Sequence, residues 1–266
     1  MPYANGGDAD IYYEIHGEGT PIVLSAGMGG SGSFWTPQVA ALAGRHQVIL
    51  YDQVGTGRSA NHGAEPRSIA GMADDIATVM NHAGVDTAHI VGHAIGGIVG
   101  LEMAMRHPRR LCSLVVVNGW GRADPFLRRC FEIRKQILNQ SGPKAYVRAQ
   151  PLFLYPPQWI SSNIAHLEEE EERILAHFPA VSTMNQRIDM FLAFDGGERL
   201  ASIDVPTLLA SAKDDNLVPA YLSHRLAAAI PGAQVREVEW GAHAFTVVTP
   251  DVFNQMLLGF CKEVEQ

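Results

Sequence analysis

The chain has 266 residues, 47% of them hydrophobic and 18% charged, with a formal net charge of −8. That is enough apolar material for one large core, or a core carrying an insertion, and the acidic balance excludes the basic face that nucleic-acid phosphates require. The opening stretch MPYANGGDADIYYEIHGEGT has neither a basic start nor an apolar run, and nothing in the chain approaches about 18 consecutive apolar residues, so a cytoplasmic protein without membrane contact is expected.

Strands are predicted at IYYEI (11–15), PIVLSA (21–26), QVILYD (47–52), AHIVGH (88–93) and LCSLVVVNG (111–119), then after a gap at PTLLASA (206–212) and QVREVEW (234–240). Several are nearly continuous apolar runs, the pattern of strands buried on both faces of a mostly parallel sheet. Between them, residues 67–84 carry apolar side chains at helical spacing, with Ser68 placed to cap and Gly84 to stop the helix. Thr36 and Pro37 mark another helix start, as cap and first-turn proline. This alternation predicts an α/β fold.

The rhythm breaks at 121–200, where PFLRRCFEIRKQILNQSG, EEEEERILAHF and TMNQRIDMFLAF all read as helical. The expected organisation is therefore a core formed by 1–120 and 201–266, with a helical cap from 121–200. Glu168 to Glu172 are consecutive, splay around a helix, and read as a solvated face rather than a metal site. Cys112, Cys130 and Cys261 are scattered and odd in number, so reduced thiols are expected, and neither a metal nor a cofactor is called for.

Two glycine-rich stretches compete for the chemistry. SAGMGGSGSFW (25–35) contains Gly27-x-Gly29-x-x-Gly32, with Asp52 twenty residues on, which matches a dinucleotide fingerprint. The expected helix start at Thr36 lies several residues past Gly32, which leaves these glycines in a loop instead of at a helix N-terminus. VGHAIGG (91–97) has the frame of the G-x-S-x-G turn that presents a serine nucleophile, but position 94 is alanine. If that turn is the catalytic one, the N–H groups of Met28 and Ile95 are the expected oxyanion donors, and Gly27, His93 and Trp120 the expected pocket neighbours; core packing is the equal alternative for Trp120. His89 and His93 stand four apart on a strand and its turn, where they do not share a helical face, so no metal role is expected.

The loops after the last two strands, SAKDDNLVP and EWGAHAF, offer Asp215 and His243 in the chain order of an acid and a base. Asp214 is the neighbouring alternative, and the D-x-x-x-P spacing to Pro219 favours Asp215. No arginine stands out for a substrate carboxylate; Arg58, Arg128 and Arg129 are candidates only if they turn inward, and surface placement is expected for each.

Taken together, these motifs resemble the α/β-hydrolase family over essentially the whole chain. YDQVGTGRS is similar to its D-x-R-G-x-G-x-S segment with Val54 in place of the usual arginine, and Ala26-Gly27 stands where many members have His-Gly. The segments GMGGSG, GHAIGG, VNGW, RRCF, AQPLFLYPPQWI and LAHFP are similar to a narrower branch in which alanine is characteristic at the elbow. That resemblance implies hydrolysis of 3-aminoacrylate or carbamate, small products of uracil ring breakdown, with release of ammonia and without a covalent intermediate. Ala94 would mark the elbow, His243 the base and Asp215 its orienter. Two other functions stay open: a serine hydrolase of amides or esters whose elbow serine has been replaced, and a non-catalytic ligand-binding or nucleotide-binding protein. The expected partner is a small-molecule substrate, and the apolar QPLFLYPPQWI reads as a pocket lid or a homodimer interface.

Overall fold

The computed structural model describes residues 3–63 and 67–266. In chain order it runs β1 (Tyr3–Asn5), β2 (Ala9–His16), β3 (Thr20–Ser25), α1 (Thr36–Ala43), β4 (His46–Tyr51), β5 (Ala60–Asn61), α2 (Ile69–His82), β6 (Ala88–His93), α3 (Ile95–Arg106) and β7 (Leu111–Val117). Five helices follow without a strand among them: α4 (Pro125–Ala149), α5 (Pro151–Leu154), α6 (Pro157–Ser162), α7 (Ile164–Ala176) and α8 (Val181–Ala193). The chain then returns through β8 (Thr207–Ala212), α9 (Tyr221–Ala229), β9 (Gln234–Val238), α10 (Phe245–Val248) and α11 (Pro250–Glu265).

The strands form one sheet in the order β1-β2-β4-β3-β6-β7-β8-β9, with β5 attached to β2. β1, β2 and β5 pair antiparallel, and every pairing from β4 through β9 is parallel. All six residues of β6 and all six of β8 are buried, because helices cover both faces of the sheet. One apolar cluster joins Ile90, Leu114 and Val116 to α2 and α3, and a second joins Val91, Val115 and Leu208 to α1 and α11. The seven strands read from sequence are all present; β1 and β5, at three and two residues, are too short to leave an alternating pattern.

Ser68 caps α2 by accepting the Gly71 N–H at 3.0 Å. Thr36 is the first residue of α1 and not its cap, and its hydroxyl instead donates to the Ser33 carbonyl at 2.8 Å. α4 continues past the predicted end at Gly142, which breaks the helix at φ +80° before Pro143 restarts it. Among the described residues no helix is long and apolar enough to cross a membrane.

Asp75, on the buried face of α2, is a local conflict. Burial, with lesser contributions from Asp8 and Asp74, pushes its carboxyl up to about 6 against the pull of Arg67, whose Nη2 lies 3.1 Å from Oδ1; Oδ2 has no partner. A carboxyl with a raised folded pKa is harmless while protonated and destabilises the fold once ionised. The cost is absent below pH ~4, the unfolded value, and complete above pH ~6 to 7, at about 1–3 kcal/mol. Asp75→Asn should therefore raise the thermal midpoint at pH 8, and the gain should shrink to nothing by pH 4; a gain independent of pH would refute the assignment.

Candidate active site

The turn at 91–97 is built by contacts that exclude side chains. A Cβ on Gly92 would stand 2.1 Å from the Gly96 carbonyl oxygen, and one on Gly96 would stand 2.2 Å from that of Ser25. The helix α3 therefore starts in backbone contact with the ends of β3 and β6, which only glycine allows. Between these glycines Ala94 is forced to φ +50°, ψ −109°, a conformation L residues avoid, and its N–H donates to the Val117 carbonyl at 2.8 Å. The sharp strand-to-helix turn of a nucleophile is intact, and its side chain is a methyl group.

The glycine loop lies alongside because β3 and β6 are parallel neighbours with Ser25 opposite Gly92. Its turn closes by a 3.1 Å bond from the Gly30 N–H to the Gly27 carbonyl. Gln53 fixes both ends: its Nε2 donates to the Ala26 carbonyl at 2.7 Å and its backbone N–H to the Gly30 carbonyl at 2.8 Å. The N–H groups of Met28 and Ile95 have no acceptor among the described residues. The Gly32 N–H is bound to Asp52 Oδ1 at 2.8 Å, and Asp52 Oδ2 takes the Arg58 Nε at 2.8 Å. Asp52 thus ties two loops together, and neither it nor Gly32 is free in the way a dinucleotide fingerprint requires.

His243 and Asp215 are both buried and meet, Nδ1 to Oδ2, at 2.8 Å. Asp215 Oδ1 accepts the N–H groups of Leu217 and Val218 at 2.7 and 2.9 Å, so the carboxylate is locked. Asp214 is used differently: it accepts the N–H groups of Gly241 and Ala242 at 3.1 and 2.9 Å and so braces the loop that carries His243. With Nδ1–H held by a carboxylate, His243 Nε2 is left as the basic nitrogen.

The His243 carbonyl receives two further donors, His93 Nε2 at 2.8 Å and Asn118 Nδ2 at 2.7 Å. The His93 ring packs at a tilt against His243, with centroids 4.6 Å apart, and against Phe34 at 4.7 Å, and its Nδ1 faces Gly27 without a partner. It backs the site as a brace. Burial, reinforced by the neighbouring His243, lowers its pKa to about 3. Its partner His89 is spent elsewhere, on Ser113 Oγ at 2.7 Å and Glu265 at 3.1 Å. Among the described residues no group of three His, Cys, Asp or Glu side chains could hold a metal ion.

Trp120 is buried just after β7, edge-on to Phe191 of α8 at 5.7 Å. Arg58, Arg128 and Arg129 are exposed, as expected, and Arg58 is engaged by Asp52 and Glu14 over the Tyr12 ring. Two arginines that the sequence reading passed over lie in the cap instead. Arg187 of α8 donates to the Met28 carbonyl at 3.1 Å and to Gln53 Oε1 at 2.6 Å. Arg134 of α4 reaches Gln150 and, at 3.4 Å, the Tyr146 hydroxyl, which itself touches Met28 Sδ at 3.3 Å. A surface cavity of about 610 Å³ opens elsewhere, at the neck of the cap, between Asp124, Arg128, Asp195 and Arg225.

His93 should remain a neutral Nε2–H imidazole from pH 5 to 9, visible in the ring ¹⁵N shifts; an imidazolium signal appearing above pH 5 would remove it as the neutral donor to the His243 carbonyl.

The family described as alpha/beta hydrolase fold matches residues 20–140. A full-length relative from Azorhizobium caulinodans, named "Putative carbamate hydrolase RutD", is 68% identical over 266 residues, covering 100% of both chains. A relative of the same name from Caulobacter sp. (strain K31) is 48% identical, covering 94% of this chain and 95% of its own. The crystal structure of the enol-lactonase from Burkholderia xenovorans LB400 superimposes with a TM-score of 0.88 at 25% identity, over 98% of this chain and 100% of that one. With its elbow, glycine loop and late acid and histidine in this arrangement, the chain belongs to the α/β-hydrolase family and, within it, to the group of RutD proteins.

Proposed function

We propose that this chain is a RutD-like hydrolase that releases ammonia from a small nitrogenous product of pyrimidine breakdown, 3-aminoacrylate or carbamate, by attack of a water activated by His243. The observation that carries this reading is a fully oriented His243–Asp215 pair beside an elbow with no side-chain nucleophile. The name shared by the relatives supports carbamate, and 3-aminoacrylate rests on the resemblance read from the sequence. Alanine cannot form an acyl-enzyme, so the attacking oxygen is that of water, placed where a serine oxygen would stand.

His243 Nε2 takes a proton from that water while Asp215 stabilises the imidazolium. With carbamate, the water oxygen bonds to the carbonyl carbon, and the displaced electron pair rests on an oxygen held by the N–H groups of Met28 and Ile95. Collapse restores the C=O bond and breaks C–N, and the proton on His243 passes to the departing nitrogen, giving bicarbonate and ammonia. With 3-aminoacrylate, a proton added at C2 gives the iminium, and water adds at C3 as His243 takes its proton; that proton passes to nitrogen, and ammonia leaves as the C3 hydroxyl loses its proton to give 3-oxopropanoate. General-base assistance contributes about 10² to 10⁴ in rate, which suits substrates that already decompose in water.

The strained φ at Ala94 favours a second reading, a serine hydrolase of amides or esters whose elbow serine has been replaced, since that strain normally serves a nucleophile. Ammonia release from freshly generated 3-aminoacrylate and from carbamate, corrected for spontaneous decay, separates the two. Under the water mechanism His243→Ala should lower turnover by about 10²-fold or more, to background, and Ala94→Ser should also lower it, because the hydroxyl occupies the water's place. Under the second reading Ala94→Ser gains ester hydrolysis and covalent labelling by a fluorophosphonate. Background rates for the unmodified chain, with no gain in Ala94→Ser, would defeat both and leave a binding protein.

A further inference from the structure

Two guanidinium groups are buried in the cap with no carboxylate to balance them. Arg134 is 3% exposed and Arg187 8% exposed, and neither takes part in an ion pair among the described residues. Burying a cation without an anion is among the costlier arrangements in a fold, and sequences avoid it unless something supplies the charge. Their hydrogen-bonding capacity is also incomplete: Nε and Nη1 of Arg134 and Nε of Arg187 are buried without partners. Arg187 contacts Met28 directly, and Arg134 is linked to it through Tyr146. Arg187 donates to the Met28 carbonyl, Arg134 reaches the Tyr146 hydroxyl that contacts Met28 Sδ, and the Tyr146 phenol lies in the field of both cations. The walls beside Arg134 are the rings of Phe131, at 4.4 Å, and Phe153, at 5.5 Å.

We propose that Arg134 and Arg187 receive the carboxylate of the substrate, and that the preferred substrate is a short carboxylate whose reacting carbon lies away from the carboxyl carbon. The proposal rests on the hydrolase reading above. Arg187 holds the Met28 carbonyl, whereas the free N–H belongs to the preceding peptide, so this cation lies one peptide along from a proposed oxyanion donor. A molecule such as 3-aminoacrylate, with C3 two bonds from its carboxyl carbon, can address both ends at once. Carbamate, in which the two carbons are the same atom, cannot. Burial lowers the pKa of Arg187 only to about 10, so it stays charged at neutral pH. A purely bracing role would not need that charge, since both of its present acceptors, the Met28 carbonyl and Gln53 Oε1, are neutral oxygens.

Propionate and propionamide are matched, unreactive probes of the charge requirement, measured by saturation-transfer NMR and calorimetry on the intact chain. Propionate should bind at least tenfold more tightly than propionamide, and Arg134→Met or Arg187→Gln should abolish that preference. The thermal midpoint of Arg134→Met should stay level or rise, because an unbalanced buried cation is removed. In turnover, both variants should raise KM for 3-aminoacrylate at least tenfold with kcat within about threefold, and Arg134→Lys should recover part of the loss. Equal binding of the two probes, or variants that melt like the parent and hold propionate as tightly, would overturn the proposal, as would a lowered midpoint in Arg134→Met with propionate affinity unchanged. Arginine-dependent propionate binding without ammonia release would sink the hydrolase reading and leave the carboxylate site standing; ammonia release with KM unmoved in both variants would do the reverse.

Discussion

The start of α3 touches the ends of β3 and β6 through backbone atoms alone, and the geometry of the site follows from that contact. Gly92 and Gly96 leave no room for a Cβ, which seats α3 directly on the sheet and holds the buried Ala94 at positive φ. The same parallel register, Ser25 opposite Gly92, brings the Met28 loop level with the first turn of α3. The N–H groups of Met28 and Ile95 are left without an acceptor among the described residues, while Gln53 and Arg187 hold the loop that carries Met28. In the proposed mechanism these backbone donors would need no reorganisation during the reaction.

The histidine depends on a different set of ties. Its ring is fixed by Asp215 and its carbonyl by His93 and Asn118, so His243 is held at both ends of the residue. In the proposed mechanism His93 serves while neutral, because an imidazolium beside His243 would oppose the positive charge that His243 takes on as general base. Burial ensures this by holding its pKa near 3. Asp214, adjacent to the orienting carboxylate, braces the loop from below. Two consecutive aspartates thus do two jobs, one on the ring and one on its backbone.

Much of this was legible in the sequence. Seven strands announced themselves by buried β-branched runs, and Asp215 and His243 by their place in loops after late strands. The role of His93 was not legible, since its partner carbonyl is 150 residues away and only the folded sheet brings them together. The two cap arginines are a different case. Arg187 falls in register with Met184, Ile188 and Phe191 on the buried face of α8, and Arg134 with Leu127, Phe131 and Leu138 on that of α4. A cation standing in the apolar register of an amphipathic helix is visible in the sequence to a reader who checks the polar members of the stripe. The three arginines considered instead, at 58, 128 and 129, are all exposed in the fold.

The site concentrates groups that do nothing for stability. Ala94 is held in a conformation worth about 1–3 kcal/mol of strain. His93 Nδ1 and three nitrogens of Arg134 and Arg187 are buried without partners, and the two guanidinium charges are unbalanced. Buried polar atoms without partners also occur in the sheet and its flanking helices, at Asp75, Gln38 and Ser211 among others, so what sets α4 and α8 apart is the pair of buried guanidinium charges. On the proposed reading, an anionic ligand meeting both arginines would balance the two guanidinium charges and offer acceptors to their three free nitrogens, which the apolar neighbours of α4 and α8 do not.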